Sequence, residues 1–191
     1  MRGGRPFRKP PPRPSPKYVR WALVAYMQRY SAPSAHVRRI LWRKLNRCLA
    51  FHGGDREEVS EWIEDAITAA IKEGLIHDER YVKDKVRVLL RRGSSPAAIR
   101  YKLRAKGVGG GQVDQVLQTL AAEGLDPQRI ALATFVRKRR MGALARADRP
   151  VDSRKELARI GRAGFPIGMA LEVLAMSAEE IEDLAFKRRL M

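Results

Sequence analysis

Cysteine is almost missing from this chain: Cys48 stands alone among 191 residues. That excludes an internal disulfide and any cysteine-rich zinc site. Cys48 sits in a leucine-rich stretch of helical spacing, where a small buried residue is expected rather than a reactive thiol. Long apolar runs are missing as well, since none approaches the ~20 residues a membrane span requires. No apolar run follows the basic first twenty residues before the first amphipathic segment. A secretory signal is therefore not expected, and the cytoplasm is the predicted compartment. Strand-like alternation with β-branched residues is absent over any useful length. Acidic residues are scarce, 21 against 39 basic ones, which leaves a formal charge of +18 and a pI near 10.9. Such a surplus implies a polyanionic partner, nucleic acid before an anionic membrane. Ribosomal and DNA-packaging proteins share this composition, so it narrows the partner and not the activity.

What is present reads as short helices. Residues 1–17 are rich in Pro, Arg and Gly, with Pro10-Pro11-Pro12 and Pro14 favouring extended geometry, and they predict a disordered basic tail. Its Arg2, Arg5, Arg8, Lys9, Arg13 and Lys17 are phosphate contacts or simply a solvated appendage. From Tyr18 onward, cap signals separate amphipathic segments. Ser34 opens one, with Val37, Ile40, Leu41 and Leu45 inward. Asp55 with Glu58 reads as a capping box before Val59, Trp62, Ile63, Ala66, Ile67 and Ala70, closed by Gly74. Asp78 is expected to cap the next helix, which ends near Gly93. Ser95-Pro96 and Asp126-Pro127 each place a cap before a proline at the first helical position, where its missing N–H costs nothing. Gly107 and Gly124 end two more helices. Ser153 with Glu156, and Ser177 with Glu180, read as further boxes. The fold class expected is all-α.

The helices also recur in order. Ser-initiated basic helices begin at Ser34, Ser95 and Ser153, about sixty residues apart, each with a helix before it and another after. The pattern predicts three tandem three-helix repeats, at residues 18–76, 77–124 and 125–191, the last with a C-terminal helix. One such unit buries little surface and would be marginal alone. An elongated, curved, solenoid-like monomer is expected.

The run Gly74-Leu75-Ile76-His77-Asp78-Glu79-Arg80-Tyr81 resembles the signature that opens the second repeat of the RecX family. Ser95-Pro96-Ala97-Ala98-Ile99 and Leu103-Arg104-Ala105-Lys106-Gly107-Val108 are similar to that family's Ile…Leu…Lys-Gly-Val helix, and Arg162-Ala163-Gly164-Phe165 to its Arg-Gly-Phe turn. Trp62-Ile63 leading into Gly74 fits as well. The resemblance covers roughly residues 18–176. Departures are His77 in place of an acidic residue, Ala163 in place of Arg, and Pro166-Ile167-Gly168 in place of Ser-Tyr-Asp. No partner contact is therefore carried over to His77 or to the 163–168 turn. The resemblance implies a cytoplasmic bacterial regulator that binds the RecA–DNA filament across several protomers. It also implies lowered ATPase, strand-exchange and coprotease activity, hence a role in recombination, DNA repair and the SOS response.

Catalytic chemistry finds little support in the residues themselves. His77-Asp78 looks like a metal-binding pair, but His36 and His52 have no adjacent carboxylate, and no metal site is expected. Gly107, Gly109, Gly110 and Gly111 lack the Lys-Ser/Thr of a phosphate loop and read as a connector. No cofactor and no catalytic residue are expected. The basic helices are more informative. With Ile99 and Leu103 inward, Arg100, Tyr101 and Arg104 face out, and with Val37, Ile40 and Leu41 inward, Arg39, Trp42 and Arg43 do. The candidates for contact with RecA or DNA are Arg39, Arg43, Arg91, Arg92, Arg100, Tyr101, Arg104, Lys106, Arg137, Lys138, Arg139 and Arg140. Cations near a helix C-terminus are also expected from the dipole alone. A plain basic DNA-binding protein is the alternative, although the middle helices carry Arg and Lys suited to phosphates and no Asn or Gln to read bases. An RNA-associated protein has only composition in its favour.

Overall fold

A computed structural model describes residues 10–146 and 152–190. Among them are ten α-helices, two short 3-10 turns and no strand. The chain divides into two compact units, Met1–Asp78 and Glu79–Met191.

The first unit holds α1 (Pro16–Met27), α2 (Ser34–His52) and α3 (Arg56–Lys72). Helix α1 starts inside the expected tail. Ser15 accepts a hydrogen bond from the Tyr18 N–H at 3.2 Å, and Pro16 takes the first helical position. The Ser-Pro start that marks residues 95–96 is equally present at 15–16, but its proline-rich surroundings hide it. Residues 10–15 have no regular structure, and the Pro11 carbonyl accepts a hydrogen bond from His52 Nε2 at 2.6 Å. Residues 1–9 of the expected tail lie outside the described residues. Val19 and Leu23 of α1, Leu41 and Leu45 of α2, and Ile63 and Ile67 of α3 close on one another in a common core. Burying each such side chain contributes about 1.5–3 kcal/mol.

Two caps in this unit differ from expectation. Asp55 caps α3 through the Glu57 N–H at 2.8 Å, a single bond rather than a box with Glu58. Asp78, expected to cap the helix it begins, turns back to α2 instead. Its carboxylate accepts from the Ser34 N–H at 2.7 Å and from the Ser34 hydroxyl. Pro33, at the cap position of α2, has no side-chain acceptor to offer. A carboxylate 44 residues away in sequence supplies one.

The second unit holds, from Glu79 on, α4 (Asp78–Arg91), then α5 (Pro96–Arg104), α6 (Gly110–Ala122), α7 (Pro127–Arg139), α8 (Ser153–Arg162), α9 (Ile167–Leu174) and α10 (Ala178–Phe186). Its centre is α7, where every residue from Ile130 to Val136 is buried. A helix buried all round shows no amphipathic stripe, and α6, α9 and α10 all pack on it. Thr134, the polar residue inside it, is satisfied by donating to the Ile130 carbonyl at 2.9 Å. One core runs from Tyr81 to Ala185, so this unit takes in both stretches that the sequence divides at residue 124. At Gly93, after α4, φ is +81°, and a Cβ would stand 3.0 Å from the Phe135 backbone nitrogen. Only glycine lets that turn close on α7.

Ser95, Asp126 and Ser177 cap α5, α7 and α10 as expected, the last with its reciprocal Glu180 bond. The cap at Ser153 does not form. Asp152 takes the position, accepting from the Lys155 N–H at 3.0 Å, and Glu156 instead accepts from the Gly142 N–H at 3.1 Å. The glycine connector is also shorter than expected. Gly109 is the cap of α6, and Gly110 and Gly111 form its first turn.

Candidate interaction surface

On α2, Arg38 ties the helix to α3: its Nε and one terminal nitrogen donate to Glu64 at 2.5 and 2.6 Å. Those bonds hold the Glu64 carboxyl below its ordinary range. Arg39 and Arg43 are exposed on the same helix, and Arg39 donates to His36 Nδ1 at 2.8 Å. Trp42, expected outside with them, is half-buried against the core, with the Arg56 guanidinium 4.5 Å above its ring. An indole one position from Leu41 is large enough to fold back onto apolar neighbours. Beside Arg39 and Arg43, then, Trp42 is held partly back by the core, and the exposed aromatic of α2 is Phe51 near its end.

On α5, Arg100 turns toward α6, donating through Nε to Asp114 at 2.8 Å with a second nitrogen at 2.6 Å. It stays exposed, as expected, and also fastens one helix to the next. Tyr101 is 79% exposed and Arg104 is exposed beside it. Lys106 is half-buried in the turn that follows.

A gathering of cations lies at the C-terminal end of α7. Arg137 pairs with Glu182 of α10 at 3.3 Å, and the Arg139 guanidinium lies 3.8 Å over the Phe135 ring. Lys138 donates to the Arg92 carbonyl at 3.0 Å. Its ammonium is pushed below the ordinary lysine value, first by burial and then by the nearby charges of Arg188, Arg137, Arg92 and Arg139. The structure thus joins the Arg91-Arg92 end of α4 to the 137–140 run, two groups far apart in sequence. It also adds Arg188, which sequence reasoning missed. The signal was the run Lys187-Arg188-Arg189, but nothing local says that this run folds against α7.

Other expected features have structural roles. Cys48 is buried, and burial raises its thiol above the ordinary range. Among the described residues, no three His, Cys, Asp or Glu side chains gather to hold a metal ion. No described helix is long and apolar enough to cross a membrane.

The fold and this surface define a class: an all-helical, strongly basic protein of three-helix domains. The family model for the second three-helix domain of RecX matches residues 78–117, which span α4, α5 and the first part of α6. The chain is 33% identical over 168 residues to the regulatory protein RecX of Myxococcus xanthus, covering 87% of this chain and 89% of that one. It is 32% identical over 155 residues to the regulatory protein RecX of Halorhodospira halophila, covering 81% of this chain and 86% of that one. The crystal structure of RecX from Lactobacillus salivarius has a similar fold, with a TM-score of 0.51 at 18% identity, over 92% of this chain and 97% of that one. This chain belongs to the RecX family.

Proposed function

We propose that this chain regulates the RecA recombinase by binding the RecA–DNA filament. It lowers the filament's ATPase, strand-exchange and coprotease activities, and so acts in recombination, DNA repair and the SOS response. The observation that carries this reading is the near full-length similarity to proteins named as regulatory proteins RecX. The formal charge of +18 and the cations around Lys138 support a polyanionic partner. The chain works in the cytoplasm as a monomer, without cofactor or catalytic chemistry of its own. It is built from helical repeats at residues 18–76, 77–124 and 125–191. Contacts with RecA or DNA fall to Arg39, Arg43, Tyr101, Arg104, Lys106 and the cluster of Arg91, Arg92 and Arg137 to Arg140. Arg100, exposed and also tied to Asp114, belongs with them.

The test is single-stranded-DNA-dependent ATP hydrolysis by the cognate RecA on preformed filaments. Inhibition is expected at substoichiometric ratios to RecA and should persist when competitor DNA is added. A plain DNA-binding protein would inhibit only by coating DNA, so its effect would track DNA occupancy and vanish with competitor. That second result would replace the RecA reading with the DNA-binding one.

A further inference from the structure

A cleft of about 580 Å³ opens between the C-terminal end of α7 and α8. Arg139 and Arg140 line it from α7, and Lys155, Arg159 and Arg162 from α8. The three on α8 are exposed and follow one another at i, i+4 and i+7. They therefore share one stripe, with successive cations about 6 and about 4.5 Å apart along the axis. Ile160, on the opposite side, is buried in the core and holds the helix in that orientation.

The two carboxylates that line the cleft among the described residues are already engaged. Asp152 caps α8 and pairs with Lys155 Nζ at 2.9 Å, and Glu156 accepts from the Gly142 N–H. Arg140, Arg159 and Arg162 form no ion pair among the described residues. Among the described residues that line the cleft, cations thus outnumber carboxylates five to two.

The backbone at Arg140 is a separate observation. It stands at φ 51° and ψ 60°, the sole positive φ outside glycine among the described residues. Helices commonly end in this conformation, but on glycine or asparagine, because a β-carbon there crowds the following carbonyl. Strain of this kind persists where surrounding structure or function holds it. An arginine here gives up local comfort and sets a guanidinium at the cleft.

We infer that this cleft binds the phosphodiester backbone of a nucleic-acid strand, with Arg140, Arg159 and Arg162 as the main phosphate contacts. Guanidinium groups match phosphate oxygens in two-pronged geometry. An acidic protein surface fits less well, because protein interfaces anchor on apolar or aromatic pockets at their centre. The apolar wall here is two alanines and the edge of buried Met141. The inference deepens the function proposed above and rests on it only for the source of the strand.

The test uses the full chain and a fluorescein-labelled thirty-nucleotide oligo(dT), with binding read by anisotropy across a salt series. Arg159→Gln with Arg162→Gln is expected to weaken binding at least tenfold at low salt. It should also lower the slope of log affinity against log salt by about 1.4, at ~0.7 for each single-strand phosphate that the variant no longer neutralises. Lys72→Gln with Lys83→Gln removes the same charge elsewhere and should cost much less. Arg140→Gly should weaken binding several-fold while the melting temperature holds or rises, since glycine accepts that backbone freely. Equal losses in the cleft and control variants, with unchanged slopes, overturn the site. So does a cleft variant that keeps its oligo(dT) affinity yet loses RecA inhibition, because the cleft would then face protein. Displacement of the oligonucleotide by micromolar tripolyphosphate would make it a small-phosphate site and overturn the strand assignment. Loss of RecA inhibition in the unaltered chain sinks the regulatory reading and leaves this one standing.

Discussion

At Gly164 the backbone runs at φ +83°, and a Cβ built there would lie 2.8 Å from Ser95 Oγ. Ser95 is buried and used twice: it accepts from the Ala98 N–H at 3.2 Å to cap α5, and its hydroxyl donates to the Ala163 carbonyl at 2.5 Å. The next residue, Phe165, sets its ring edge-on to Phe135 at 5.6 Å. The Arg162-Ala163-Gly164-Phe165 turn is therefore a fastening between α5, α7 and the end of α8. That explains why a glycine and an aromatic stand together in it. Gly164→Ala meets both a φ that side chains rarely adopt and a contact too close to keep, so it should destabilise the chain by about 1–3 kcal/mol. A urea midpoint measured by circular dichroism checks this. An unchanged midpoint would mean that the Ser95 contact is not needed for stability.

Helix starts decide more at the next scale than apolar periodicity does. Proline at the first turn follows a side-chain cap at Ser15, Ser95 and Asp126, and each of these starts α1, α5 or α7. A truncation that removes residues 1–17 therefore does not trim a tail. It deletes the Ser15 cap, two residues of α1 and the Pro11 carbonyl that His52 reaches. Losing a cap of this type costs about 0.5–2 kcal/mol. Trp21, Trp42 and Trp62 all lie in the first unit. Tryptophan fluorescence should accordingly show a lower melting temperature for the truncated chain, whereas a chain beginning at residue 10 keeps the cap and should melt close to the full-length protein. Equal melting of all three would show that α1 contributes little to its unit.

For the whole molecule the governing quantity is charge. A surplus of +18 is far more than folding uses, and the cations that the fold gathers around Lys138 repel one another until an anion joins them. Affinity for naked DNA should therefore fall steeply with salt. If six or more phosphates are contacted, raising salt from 50 to 200 mM should lower it by about a thousandfold or more. Anisotropy titrations at several salt concentrations measure the slope directly, and a fall below tenfold would limit the contact to very few phosphates. The same series run on RecA filaments separates counterion release from protein contact, because apolar contacts with RecA survive salt that strips phosphate contacts.

Local chemistry was enough for the helical class and most helix boundaries. A cap, a proline or a helix-ending glycine acts on its immediate neighbours, so Ser95-Pro96, Asp126-Pro127 and Ser177 with Glu180 could be read in the sequence. Where local signals competed, reading failed. Pro10 to Pro14 drew attention from the Ser15-Pro16 start, and Glu156 was an equally good partner for Ser153 and for the distant Gly142 N–H. Side-chain direction was legible where apolar spacing dominated, as at Leu41 and Ile99. It was not where an aromatic side chain could fold back, as with Trp42 onto the core. Sequence alone thus determined that the protein is helical, basic and RecX-like. Tertiary structure alone decided that Asp78 caps α2, that Arg188 joins Lys138, and that Arg140 faces Arg159 and Arg162 across one cleft. Each of these joins groups brought together by packing, and packing free energy depends on the whole core rather than on any window of neighbouring residues.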